Sequence, residues 1–224
     1  IKSYATVKVS KSIWALFGIL IGLFLLTSFI DHYFFSIPSV GVTLQLAAPL
    51  GLLAAGQTIC MLTGGIDLSL AMIATGAAFI LSVKSSDGLV SGILWAALFC
   101  LVVGSINGLA VGLLGMNPLI MTLGMNAVLI GVFTVGVTTF LKGSSTMPDA
   151  VVTASTATFL FDPLSWPVVI WAVIGGLFLF MLTKTGLGRL IYAIGDNAQA
   201  ARLAGVKVWQ VQWATYVILS LIHI

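Results

Sequence analysis

Thr63-Gly64-Gly65-Ile66-Asp67-Leu68-Ser69 decides how this chain is read. It is a polar, glycine-broken insert between two stretches apolar enough for a bilayer, and Asp67 is the sole formal charge between Asp31 and Lys84. A carboxylate at the centre of a bilayer costs about 3 kcal/mol or more. Paired glycines mark a break in a helix, and freed backbone is tolerated at membrane depth only where protein or a wet cavity satisfies it. The insert points to a membrane protein with a working interior, not a passive anchor.

The composition agrees. Of the 224 residues, 60% are hydrophobic and 7% charged, with a mean hydropathy of +1.19. That balance belongs to a polytopic membrane protein. The six acids are all aspartates, and no charge occurs from Gly88 to Leu141, a run long enough for two spans. The net charge of +3 comes from Lys and Arg near the ends of apolar stretches. It reads as topology; no basic cluster interleaved with aromatics suggests nucleic acid. Cys60 and Cys100 fall in apolar stretches as buried free thiols, and His32 and His223 stand far apart, with no metal spacing. Lys2, Lys8 and Lys11 before an apolar run imitate a signal peptide. The run is too long for one, lacks a small-x-small cleavage site and is followed by further spans, so it reads as a retained first helix.

The expected architecture is all-α, a polytopic transmembrane bundle with about six to seven spans, forming a single domain over 1–224. Spans are expected at Ser12–Ile30, Pro38–Leu62, Leu68–Val83, Leu89–Leu114, Pro118–Leu141, Leu164–Thr183 and from Trp209 onward. The last is short, so the chain is expected to be a truncated piece. Orientation follows the basic residues. The N-terminal lysines place that end in the cytoplasm. Six crossings later Lys184–Val208, with Lys184, Arg189, Arg202 and Lys207, returns to the same side. Asp31–Ile37, Ser85–Gly88 and Gly143–Pro163 then face outward, with Asp31, Asp87, Asp149 and Asp162 in them and Lys84 and Lys142 at their edges. A broken or re-entrant element around Asp67 would change the crossing count. Trp95, Trp166, Trp171, Trp209 and Trp213 near span ends suggest interfacial belts. Gly104, Gly108 and Gly112 form two overlapping GxxxG patterns that suit close helix approach. Pro49 is expected to kink the second span.

Two polar constellations carry the functional reading. The first is Gln57, Thr63, Gly64, Gly65, Asp67 and Ser69. Thr63 and Ser69 suit freed backbone groups. Asp67 is either a cap for a helix starting near Leu68 or a lining group of a polar-solute path, and depth decides between them. The second runs from Gly195-Asp196-Asn197 through Ala200-Ala201-Arg202-Leu203 to Gly205. Asp196 or Asn197 caps a helix of about two turns that stops at Gly205, framed on the other side by Gly186 and Gly188. Its alanines give a low face and Arg202 a charged handle, suited to partner docking or simply to a surface loop. Asn107, Asn117, Thr122 and Asn126 add polar groups in or beside spans, where interhelical hydrogen bonding competes with a solute path.

These segments resemble the permease subunit of bacterial ABC importers for monosaccharides, of the ribose, xylose, arabinose and galactoside type. Gly56-Gln57-Thr58 through Ser69 is similar to the family's signature, which ends in a G-G-I-D-L-S core. Asn107-Gly108 followed by Asn117-Pro118-Leu119-Ile120-Met121-Thr122-Leu123-Gly124 resembles its second hallmark. Gly195-Asp196-Asn197 with Ala200-Ala201-Arg202-Leu203-Ala204-Gly205-Val206 resembles the cytoplasmic loop that docks on the ATPase. The three occur in the family's order from the second span onward. Leu70-Ala71 stands where the family often has Val-Gly, and family members continue with further helices beyond His223.

The resemblance implies alternating access in the bacterial inner membrane. A periplasmic sugar-binding protein delivers a monosaccharide to a path between two permease subunits, alike or different. An ABC ATPase binds the ATP and docks on a cytoplasmic loop at 184–207. The permease itself then holds no cofactor and does no chemistry, in keeping with the lack of a phosphate-binding loop or nucleophile–base pair. Its partners are the ATPase, the binding protein, the second subunit and membrane lipid, with no nucleic acid. An ion- or proton-coupled secondary transporter using Asp67 as a relay is the alternative. Against it, no second intramembrane acid is present. An intramembrane enzyme would have to pair Asp67 with the distant His32, and a pure scaffold leaves the capped basic loop without a purpose.

Overall fold

A computed structural model describes residues 10–139, 147–160 and 164–222. Lys2, Lys8, Leu141, Lys142, Asp162 and His223 lie outside the described residues. Within them the chain is helical: α1 Lys11–Ile30, α2 Ile37–Leu62, α3 Leu70–Lys84, α4 Leu89–Gly112, α5 Pro118–Thr139, α6 Asp149–Thr156, α7 Trp166–Lys184, α8 Gly186–Leu203 and α9 Val208–Leu221. The only β feature among the described residues is an isolated bridge between Thr158 and Ser165. Six of these helical stretches are long and apolar enough to cross a membrane. α2 and α3 are two separate helices, each in a stretch long and apolar enough to cross.

Local chemistry sets the ends. Ser36 accepts a hydrogen bond from Ser39 N at 3.3 Å, and Pro38 sits in the first turn of α2. Asn117 accepts from Leu119 N at 2.9 Å ahead of α5. α2 continues as one helix past Pro49. Two expectations need correction. Gly186 and Gly188 do not merely frame a short helix, because Thr185 accepts from Gly188 N and starts α8 eleven residues before Asn197. The segment read as an outward loop contains α6, opened by Pro148 and Asp149.

The core is densest where α3, α4, α5 and α9 meet. Ile73, Ala77, Ala96, Cys100, Val103 and Leu129 form one buried cluster; Cys60, Leu70, Val111, Tyr216 and Leu219 form another. Gly104, Gly108 and Gly112 face the backbone of α9. A Cβ on each would sit 2.6 Å from Ser220 Oγ, 2.8 Å from Trp213 Cα and 2.8 Å from Trp209 O. The GxxxG patterns therefore serve helix packing. Trp209 and Trp213 lend their backbone to that seam, and the Trp171 ring lies on Gly51; the Trp209 side chain is exposed. Trp95 fits an interfacial place, with Lys84 Nζ 5.5 Å from its ring. α1 has no buried residue.

The turns gather at two ends. Gly65 lies beside Pro118 at the start of α5, Gly112 beside Trp209 at the start of α9, and Gly195 of α8 against the last residue of α2. The 63–69 turn, the 113–117 turn and α8 thus share one end of the bundle.

Candidate functional site

The site is built from the 63–69 turn outward. Gly64 N donates to Met61 O and Gly65 N to Cys60 O, each at 3.0 Å. This is a Schellman stop, and it needs a left-handed residue at Gly64, whose φ is +82°. Gly65 is needed for space, since a Cβ there would stand 3.1 Å from both Cys60 Sγ and Tyr216 OH. Thr63 Oγ1 donates to Cys60 O at 2.8 Å, closing the helix end on itself.

Asp67 then turns the chain into α3. Its Oδ1 accepts from Ser69 N at 2.8 Å and from Ser69 Oγ at 2.6 Å. α3 starts at Leu70, two residues past Leu68, with Ser69 in the cap position and Asp67 holding Ser69. Asp67 N donates to Gln57 Oε1 at 3.3 Å, which ties the turn back to α2. Asn107 Nδ2 donates to Ser69 Oγ at 2.9 Å, which ties it to α4. Thr122 Oγ1 accepts from Leu68 N at 3.0 Å, which ties the turn to α5, and its one hydrogen lies within reach of Pro118 O at 2.9 Å and Ile66 O at 3.1 Å. Asp67 is 4% exposed, and Ser69, Asn107 and Thr122 are fully buried. No ion pair reaches Asp67 among the described residues, and its Oδ2 and Asn107 Oδ1 have no hydrogen-bond partner.

Gln57, Asp67, Ser69, Asn107 and Thr122 are therefore brought together, with Thr63, Gly64 and Gly65 shaping the backbone. Asn117 is exposed and caps α5 locally. Asn126 is partly exposed and has no hydrogen-bond partner among the described residues, so it does not join. The sequence reading missed Tyr216 and Cys60. Cys60 Sγ contacts Tyr216 OH at 3.5 Å beneath Gly65. No local signal marked Tyr216, which shares its stretch with Gln210, Gln212, Thr215 and Ser220.

The second constellation is at the same end. Asn197 leaves helical geometry (φ −157°, ψ 98°), breaks α8 and accepts from Ala200 N at 2.9 Å, so Asn197 and not Asp196 is the cap. Ala201 is buried, whereas Asp196, Ala200 and Arg202 are exposed and Leu203 is 85% exposed. Gly205 (φ +86°) donates to Arg202 O and ends the helix. Among the described residues Arg202 has no ion pair. No group of three His, Cys, Asp or Glu side chains there is placed to hold a metal ion.

Six apolar spans around a buried polar turn, with an exposed kinked helix at one end, define a polytopic helical membrane protein. A family model described as branched-chain amino acid transport system / permease component matches residues 39–222, and the chain belongs to that family. Similar curated proteins include the autoinducer 2 import system permease protein LsrC of Photorhabdus luminescens, 34% identical over 91% of this chain and 60% of that protein. The LsrC of Yersinia enterocolitica is 31% identical over 92% of this chain and 56% of its own length. The fructose import permease protein FrcC of Rhizobium meliloti is 28% identical over 84% of this chain and 54% of its own. The chain thus spans little more than half the length of these relatives. No solved structure matches. Family and spans together make this a multi-pass protein of the inner membrane, and the expected likeness to sugar-importer permeases is borne out.

Proposed function

We propose that the chain belongs to the membrane-spanning permease subunit of an ATP-binding-cassette importer and contributes to the path of a neutral monosaccharide. The observation that carries this reading is the exposed, kinked Asn197–Gly205 segment beside the buried 63–69 turn, in a chain of the permease family. A separate ATPase binds and hydrolyses ATP and docks on the 184–207 segment through Arg202 and Leu203. A binding protein delivers the sugar on the other side, and a second permease subunit completes the path. On this reading the N-terminus is cytoplasmic, as is the end holding both polar constellations, and the subunit does no chemistry of its own.

The substrate follows from charge. A zwitterionic amino acid carries a carboxylate that wants a cation, and no Lys or Arg occurs from residue 37 to 83 or from 88 to 139. A sugar needs hydrogen bonds without a counter-charge. The name of the fructose import permease FrcC leans the same way.

The test is uptake by the full-length protein reconstituted with its ATPase and binding protein. ATP-dependent, uncoupler-insensitive accumulation of a labelled monosaccharide, with none of leucine, is expected. Uptake driven by a proton gradient without ATP would overturn the reading. Arg202→Glu should change stability by less than about 0.5 kcal/mol, being an exposed site. It should also weaken ATPase binding about tenfold or more by reversing a contact charge. Wild-type co-purification of that variant would remove Arg202 from the docking surface.

A further inference from the structure

α8 meets the end of α2 without a spacer. An apolar cluster of Ile59, Ile191, Ile194, Ala201, Val208 and Val211 joins the last turns of α2, both halves of α8 and the first turn of α9. At its edge the Cα of Gly195 abuts the carbonyl of Leu62, so closely that a Cβ on residue 195 would land on that oxygen. Here backbone rests on backbone, as it also does where Gly188 meets the end of α7; only the Gly195 contact reaches α2.

Leu62 is the last residue of α2, and the chain beyond it cannot move independently. Gly64 and Gly65 are bonded back to Met61 and Cys60. Farther on, the turn is fastened to α4 through Ser69 and Asn107 and to α5 through Thr122. A shift of α8 at residue 195 is therefore delivered to two other spans through one carbonyl and a short run of hydrogen bonds. Packed contacts of this kind transmit displacement because interiors have little room to absorb it.

We propose that Gly195 is a positioning residue, the knuckle through which the 195–205 segment moves the 63–69 turn. The inference rests on the permease reading above. It predicts a defect in coupling without a defect in docking.

The experiment uses the full-length protein assembled with its ATPase and binding protein in proteoliposomes, comparing Gly195→Ala with Gly22→Ala. The latter adds a methyl on α1, outside the docking segment, with no heavy atom within 4 Å among the described residues. Both variants should bind the ATPase as wild type does. Gly22→Ala should keep the wild-type ratio of sugar imported to ATP hydrolysed. Gly195→Ala should lower that ratio about tenfold or more, within the usual range of coupling between sites. A structural defect would lower yield, or uptake and hydrolysis together, and leave the ratio alone. An unchanged ratio with the ATPase bound overturns the inference and leaves the permease reading standing. Failure of the wild type to bind an ATPase overturns both. If Gly195→Ala does not assemble, hydrogen exchange on the wild-type complex decides. A nonhydrolysable ATP analogue should change exchange at residues 63–69. No change there, with protection gained at 195–205, overturns the inference.

Discussion

Two helix pairs in this bundle are built on opposite principles. α4 meets α9 through Gly104, Gly108 and Gly112 laid against backbone atoms of the partner helix. α2 meets α7 through side chains, with Gly51 under the Trp171 ring and a cavity of about 440 Å³ beside them, lined in part by Ala48, Pro49, Leu53, Ile170 and Ile174. Lipid supplies no hydrophobic force between helices, so association depends on close fit and hydrogen bonds. The first pair has the fit and so has essentially one arrangement. The second has room, bounded on one side by α6, whose Ser155 carbonyl accepts from Gln45 Nε2. On the permease reading proposed above, a fixed frame and a part that rearranges are both needed, and these two pairs are the places in this chain that suit each.

The comparison breaks if the α4–α9 seam tolerates bulk. Gly108→Leu would drive a branched side chain into the Trp213 backbone, which cannot rotate aside. Overpacking of this kind costs about 3 kcal/mol or more. The expected outcome is loss of the folded monomer peak in detergent gel filtration, or a sharply lower melting temperature. A stable, monodisperse Gly108→Leu protein would show that the seam is slack.

A smaller effect tests whether the polar turn belongs to the frame. Asp67→Ala removes the acceptor for Ser69 N and Ser69 Oγ and frees Asn107 from its ordered partner. Leaving the buried Ser69 donors without that acceptor costs about 2 kcal/mol. Melting in detergent reads that loss, and uptake by the reconstituted full-length protein should fall by a larger factor than assembly does. Unchanged transport would reduce Asp67 to a dispensable cap.

How far the sequence foretold these regions follows from the range of each signal. Hydropathy over about 20 residues locates spans, and α1 to α5 and α7 begin and end within two residues or so of expectation. The α4 glycine face was legible because its spacing is local. Asp67 was legible as a helix cap, but not that it acts by holding Ser69 in the cap position. Asn107 and Thr122 were visible as polar groups out of place, but not that both reach the same turn. Tyr216 under Gly65 and Gly195 against Leu62 were not legible at all, since each joins residues more than a hundred apart. α6 escaped because its Ser and Thr residues read as loop, and the first half of α8 because two glycines hid the Thr185 cap.

The smallest effect gives the sharpest comparison, because distance alone predicts it wrongly. A Cβ at residue 51 would fall nearer its obstacle, the Trp171 ring, than a Cβ at residue 108 falls to α9. Ranked by overlap, Gly51→Ala should be the worse variant. Ranked by what must move, it should be the milder one. The indole is a side chain whose neighbours Ile170 and Ile174 line open space, whereas Trp213 Cα is fixed in a helix. Gly51→Ala should therefore cost about 1 kcal/mol or less, part of it offset by alanine's better helix propensity. Gly108→Ala should cost clearly more. Melting of the two variants side by side in one detergent decides the ranking. If Gly51→Ala proves the more damaging, the α2–α7 pair is as rigid as the seam, and the room for rearrangement must lie elsewhere in the bundle.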